Sequence, residues 1–192
     1  MKKLARAVAV IAAVGAAGVS LAVNPATFNI TVNMTGGLSV AIVSGAPVVL
    51  GSLAANAVVG NPGGTPVVVQ NDSVGLVEDY QISVGNSAGG WTIGAAPAPN
   101  VATLHVAFNS ILMATTPVLG DFAVNDQLTG GAAAILCGLS PAGPFAGPTT
   151  GDGQDVLPAE NNSLWIRFQA PTGDLTGGAA QSFTVTINAV AP

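Results

Sequence analysis

Apolar and polar residues alternate with a period of two in five segments of the chain. The segments lie at 27–34, 80–84, 104–108, 164–169 and 183–188. Because successive side chains of a β-strand point to opposite faces, this period predicts strands that each have one apolar face. The residues of the predicted apolar faces are Phe28, Ile30, Val32, Met34, Tyr80, Ile82, Val84, Leu104, Val106, Phe108, Leu164, Ile166, Phe168, Phe183, Val185 and Ile187.

Clusters of glycine and proline separate these segments, at 35–37, 60–66, 85–90 and 140–154. Glycine supplies positive φ angles and proline a fixed φ, so both residues favour turns. No helical stripe of useful length follows residue 22. About nine short strands with frequent turns predict an all-β fold, an antiparallel immunoglobulin-like β-sandwich that forms a single domain over 23–192.

The N-terminus has the three-part layout of a secretory signal peptide. A basic head precedes an apolar run at 7–17, and small residues that include Ser20 and Ala22 follow it. This layout predicts a signal peptide over 1–22 and a secreted, extracellular or cell-surface location. The alternative is an uncleaved membrane anchor, although the apolar run is short for a bilayer span. After cleavage we expect no membrane insertion.

Charge is scarce and strongly acidic once the predicted signal peptide is removed. The remaining chain has one base, Arg167, and nine acids, which gives a formal charge of −8. Nucleic-acid binding needs clustered Lys and Arg, so that function is excluded. A surface with few charges loses little hydration when it packs against another protein surface. The composition therefore favours copies of the chain itself as partners.

One short motif suggests catalysis, but its surroundings do not support an enzyme. GNSAG at 85–89 matches the G-x-S-x-G pattern of hydrolases, in which an acid and then a histidine follow the serine. A strand-like WTI follows instead, and no Asp or Glu lies between Ser87 and His105, the single histidine. We therefore predict a hairpin turn at 85–89, a solvated His105 on a strand, and no enzymatic activity.

Acidic residues are densest in GDGQDVLPAEN, where Asp152, Asp155 and Glu160 are candidate calcium ligands. Carboxylate and carbonyl oxygens on a glycine-containing loop suit this hard cation. A thinner acidic group lies at 72–79. The alternative for both groups is a solvated acidic loop, and no other cofactor is predicted.

Trp165 and Arg167 lie two residues apart on the polar face of one predicted strand. Such residues are about 7 Å apart, so the guanidinium can stack on the indole. Two interpretations stay open, a stacked surface arginine and a contact with another subunit. Trp165 or Trp91 could also provide a sugar-stacking platform, although packing in the core suits Trp91 better. Cys137 is predicted to be a buried small apolar residue, with an intermolecular disulfide as the alternative.

Several segments together resemble secreted β-sandwich surface proteins of bacteria and archaea, including fibre subunits of the camelysin/TasA kind. They are the signal peptide, TFNITVNM, VVVQNDS, LWIRFQAPT and FTVTINA. The resemblance lies in the pattern of strand-like segments across residues 23–192. It implies that an N-terminal strand is donated to the sheet of the next subunit, since an exposed strand has unpaired backbone groups. The implied contact residues are Phe28, Ile30, Val32 and Met34.

Two functions are consistent with these patterns. The first is an extracellular structural protein, a subunit of a self-assembling filament or cell-surface layer. The second is a secreted module that binds carbohydrate or another ligand through a tryptophan and loop acids. Burial of both tryptophans would argue against the second function.

Overall fold

The computed structural model describes residues 37–109, 119–122, 124–138, 143–146 and 153–192. The predicted signal peptide and the predicted strand at 27–34 lie outside these ranges. The described part is all-β, and its strands form two sheets, as expected for a β-sandwich. Its ten strands are β1 (Val40–Ser44), β2 (Val58–Gly60), β3 (Val67–Asn71), β4 (Asp79–Val84), β5 (Thr92–Ile93), β6 (Val101–Phe108), β7 (Gln127–Leu128), β8 (Ile135–Leu136), β9 (Asn161–Gln169) and β10 (Val185–Val190).

The larger sheet has the strand order β1-β3-β9-β6-β5, with β2 also paired to β9 and β7 to β6. Every pair in it is antiparallel except β5 with β6, so the prediction of a purely antiparallel fold is wrong there. A tight turn at 98–101, closed by hydrogen bonds between Ala98 and Val101, reverses the chain and brings β6 alongside β5 in the same direction.

The smaller sheet has the order β10-β4-β8 and faces the larger sheet across one hydrophobic core. The rings of Tyr80 and Phe108 lie 5.3 Å apart, and those of Phe168 and Phe183 lie 5.9 Å apart. Core residues of β4, β6 and β9 are those of the predicted apolar faces, so the alternation predicted these inward faces correctly. Helices long and apolar enough to cross a bilayer are absent from the described residues.

The outer face of β6 and β9 is also buried, which the alternation did not predict. Trp165 is 1% exposed and packs with Ala107 and Phe122 in a second apolar cluster. The neighbouring side chains of His105 and Arg167 are 7% and 8% exposed. The prediction of a solvated His105 is therefore wrong, because the segment that carries Phe122 covers this face.

The segment 85–91 connects the two sheets and does not form the predicted hairpin. It runs from β4 in the smaller sheet to β5 in the larger one, and these two strands are not paired. The N–H of Ser87 donates to the carbonyl of Trp91, which closes a local turn. A Cβ atom at Gly89 would overlap the carbonyl oxygen of Ala180, so glycine allows these two backbones to approach closely.

Candidate functional site

Four polar or amphipathic side chains form a buried layer on the outer face of β6 and β9. They are Thr103, His105, Trp165 and Arg167, and we call them the His105–Arg167 layer. The antiparallel register places His105 directly opposite Arg167. The ring of His105 also lies 5.8 Å from the ring of Phe122, which helps to cover the layer.

Each member of the His105–Arg167 layer has a buried polar atom without a hydrogen-bond partner. These atoms are Thr103 Oγ1, His105 Nδ1, Trp165 Nε1 and Arg167 Nε. Most buried polar groups in proteins are hydrogen-bonded, and an unmet one costs about 1–3 kcal/mol. Four unpaired polar atoms are therefore concentrated on the outer face of β6 and β9.

Arg167 is the one Lys or Arg among the described residues, and it lies in this layer. Burial lowers its pKa, and its Nε has no hydrogen-bond partner. Burial, and secondly the charge of Arg167, lower the pKa of His105. At neutral pH the histidine is therefore neutral beside the arginine, since two adjacent buried cations would repel each other.

The predicted stacking of Arg167 on Trp165 has no counterpart in the described structure, where no cation–π contact joins them. The indole of Trp165 packs instead against Ala107 and Phe122. A sugar ring cannot stack on Trp165 because this side chain is 1% exposed. The assignment of Trp165 and Arg167 to a subunit contact stays a prediction.

Trp91 is half-buried, and a network that includes Asp174 fixes its indole. Its Nε1–H donates to Asp174 Oδ1 over 3.0 Å, and its backbone N–H donates to Gln181 Oε1 over 3.0 Å. Hydrogen bonds from the Thr176 side chain and then from Trp91 lower the pKa of Asp174. The sequence signal for this network is an aspartate two residues before a threonine in a glycine-rich turn, DLTGG, which is not among the predicted sites.

The two predicted acidic groups lie next to each other in the fold. The N–H of Asp155 donates to Asp79 Oδ1 over 2.9 Å, and backbone hydrogen bonds join Glu78 to Val156. Glu78 is fully buried; its Oε2 accepts a 2.6 Å hydrogen bond from the Ser73 hydroxyl, and its Oε1 has no partner.

Of the candidate calcium ligands, Asp155 and Glu160 are exposed at this end of the sheets, and Asp152 lies outside the described residues. Glu160 Oε2 accepts a hydrogen bond from the N–H of Leu157. Within the described ranges, no group of three or more His, Cys, Asp or Glu side chains is placed to share a metal ion. Calcium binding at Asp152, Asp155 and Glu160 stays a prediction.

The hydroxyl oxygen of Ser87 binds two backbone N–H groups. Its Oγ accepts hydrogen bonds from the backbone N–H groups of Gly89, over 3.0 Å, and Ser182, over 3.1 Å. No hydrogen bond between Ser87 and a histidine or an acid is found among the described residues. The hydroxyl therefore ties the inter-sheet connection to the segment before β10.

Cys137 is a free thiol, 1% exposed in the main core, so the prediction of a buried small apolar residue is confirmed. Burial raises its pKa, which keeps it in the unreactive thiol form. An intermolecular disulfide would require this part of the core to open.

Two outer strands carry exposed apolar side chains. β1 is at the edge of the larger sheet and has Ile42 and Val43 exposed to 48% and 53%. β8 is at the edge of the smaller sheet and has Ile135 and Leu136 exposed to 39% and 40%. We call these two strands the apolar edges.

Comparisons with protein-family models, with curated proteins and with solved structures find no match to this chain.

Proposed function

We propose that this protein is an extracellular structural subunit, built as an immunoglobulin-like β-sandwich, that associates with copies of itself into a filament or surface layer. The observation that carries the proposal is the presence of the apolar edges. An edge strand has a row of unpaired N–H and C=O groups, which can bind a further strand.

The apolar edges lack charged side chains and proline, although β8 has only two residues and the register of β1 shifts between Ile42 and Ser44, and both features limit edge pairing. Proteins protect such edges with lysine, inward-pointing charges or proline. The sequences of β1, VAIVS, and β8, IL, contain none of these. Association at either edge would cover Ile42 and Val43, or Ile135 and Leu136, and would remove apolar surface from water.

The composition supports the same function. Only 7% of the residues are charged, so two copies can approach without removing many charges from water. A strand at 27–34, with Phe28, Ile30, Val32 and Met34 on one face, is the segment that we propose is donated to a neighbouring copy. The predicted signal peptide would deliver the chain to the cell surface, where such a polymer is useful.

Lysine substitutions at an apolar edge test this function. The chain is expressed with its own N-terminus, recovered from outside the cell, and examined by negative-stain microscopy and sedimentation. We expect the wild type to form polymers, and Ile42→Lys with Val43→Lys to remain monomeric because the added charges repel at the edge.

The matched control is Val74→Lys, which adds a lysine at an apolar residue that is 75% exposed outside the strands. This variant should polymerise like the wild type. A wild-type chain that stays monomeric at every concentration, or polymers that tolerate lysine at 42 and 43, would overturn the proposal.

A further inference from the structure

Two pairs of facing residues form a square of side chains on the outer face of β6 and β9. The antiparallel register sets Thr103 opposite Gln169 and His105 opposite Arg167. Facing residues of antiparallel strands have Cβ atoms about 4.5–5.5 Å apart, and residues two apart on one strand lie about 7 Å apart. The hydroxyl of Thr103 and the amide of Gln169 are therefore neighbours, with an imidazole and a guanidinium beside them.

Three of these side chains have a buried polar atom without a hydrogen-bond partner. The atoms are Thr103 Oγ1, His105 Nδ1 and Arg167 Nε. A hydroxyl, a base and an N–H donor next to a carboxamide are the groups that acyl transfer uses. Since Thr103 Oγ1 and His105 Nδ1 are not bonded to each other, a change of side-chain rotamer has to precede proton transfer. Catalytic hydrogen bonds are often long or poorly aligned before the reacting state is reached.

We propose that Thr103 and Gln169 form an ester cross-link between β6 and β9, in a single reaction of the folded chain with itself and without turnover. Thr103 Oγ1 attacks Gln169 Cδ, so that a C–O bond forms and the Cδ–Nε2 bond breaks. Neutral His105 accepts the hydroxyl proton and passes it to the leaving nitrogen, which departs as ammonia. Arg167 Nε–H donates to the oxyanion of the tetrahedral intermediate. The reaction consumes no oxidant, reductant or further reactant.

The product fits the register of the two strands. The ester joins the Cβ atoms of Thr103 and Gln169 through four covalent bonds, which span up to about 5 Å, close to the ordinary separation of facing Cβ atoms. Thr103 is 3% exposed, which keeps water away from the ester. Gln169 is half-buried, so ammonia has a route to solvent. Dilution and protonation of ammonia in water then draw the reaction toward the ester.

The chain has few other means of covalent cross-linking. Cys137 is its single cysteine, so an internal disulfide is impossible, and no lysine beyond residue 3 can form an amide with a side chain. Strands β6 and β9 are neighbours inside the larger sheet, not at its edge. An ester between them would join the part of the fold that carries most of the buried core.

Mass spectrometry of the purified, denatured chain tests the cross-link. We expect an intact mass about 17 Da below that of the sequence, because one molecule of ammonia is lost. Digestion at Asp and Glu places Thr103 and Gln169 in the separate peptides 80–121 and 161–174, which should remain joined. Hydroxylamine, which cleaves esters, should separate them. The same reagent is needed to separate the fragments that trypsin makes at Arg167, because this residue lies between the two linked positions.

Variants assign the reacting groups. Thr103→Val removes the hydroxyl but keeps the side-chain shape, and should have the full sequence mass, whereas Thr103→Ser should still lose ammonia. His105→Gln should slow formation of the ester about 100-fold or more, since it removes the base. Gln127→Ala is the matched control. The amide of Gln127 faces His105 from β7 but donates to the carbonyls of Gly94 and Ala95, so this variant should lose ammonia like the wild type.

Two results would overturn the proposal. The first is a folded wild-type chain that has the full sequence mass and yields the peptides 80–121 and 161–174 as separate species without hydroxylamine. The second is a loss of ammonia that Thr103→Val retains, which would place the reaction at another amide. The wild-type measurement is decisive by itself if a variant does not fold, and it is independent of whether the chain polymerises.

Discussion

Arg167 and His105 are neighbours, and the fold avoids two adjacent positive charges because it favours the neutral form of His105. Both are more than nine-tenths buried on facing positions of β6 and β9. Burial first, and the arginine second, lower the pKa of the histidine. The consequence at the residue scale is that folding favours a neutral His105, whereas the unfolded chain protonates it near the ordinary pKa of about 6.5.

This difference predicts how stability depends on pH. With its folded-state pKa below 6.5, His105 contributes stability that is fully present above pH 6.5 and is lost as the pH falls toward the folded-state pKa. Urea unfolding should show a slope of up to about 1.4 kcal/mol per pH unit in that window. His105→Gln should remove this slope, since ordinary carboxyl pKa values lie near 4. An unchanged slope in the variant would show that another group is responsible.

At the scale of elements, alternation in the sequence was sufficient to predict β4, β6 and β9. Their inward faces were predicted correctly because a period of two fixes which residues share a face. The period does not show whether another part of the chain covers the opposite, outward face of each strand. Phe122 closes the outer face at Trp165 through a contact between distant parts of the chain, and such contacts leave no period in the sequence.

The shorter elements could not be predicted for a different reason. β2, β5, β7 and β8 have two or three residues each, which is too few to show a period. The parallel pairing of β5 depends on the turn at 98–101. Likewise, the acids at 72–79 and 152–160 are far apart in sequence, and the fold brings Asp79 next to Asp155.

The connection between the sheets gives a prediction at the same scale. Ser87→Ala removes the acceptor of two backbone N–H groups, those of Gly89 and Ser182. We expect the free energy of unfolding to fall by about 2 kcal/mol, at roughly 1 kcal/mol for each hydrogen bond. Chemical denaturation measures this change.

Ser52→Ala is the matched control, because Ser52 is exposed and has no hydrogen bond among those found in the described residues. It should unfold like the wild type. Equal stability of Ser87→Ala and the wild type would contradict the structural role of Ser87.

At the scale of the whole molecule, the scarcity of basic residues and the two-sheet fold act together. Trypsin cleaves after Lys and Arg, and Arg167 is the single such residue beyond residue 6. It lies 8% exposed in β9, which has paired strands on both sides. Cleavage there should require unfolding of the larger sheet.

We therefore expect the folded chain to resist trypsin at Arg167 under native conditions. In urea it should be cut there into fragments that end at residue 167 and begin at residue 168. Gel electrophoresis of a time course, at increasing urea, measures the exposure of this bond. Rapid native cleavage at Arg167 would show that β9 opens locally.

The position of Arg167 in β9 also affects how this protein is detected in cells. A complete tryptic digest yields residues 168–192 and one very long peptide before them, and mass-spectrometric surveys sample such long peptides poorly. Abundance estimates from trypsin alone would then be too low, even for a plentiful protein. Digestion of denatured samples at the nine acidic residues would recover peptides of useful length from much more of the chain.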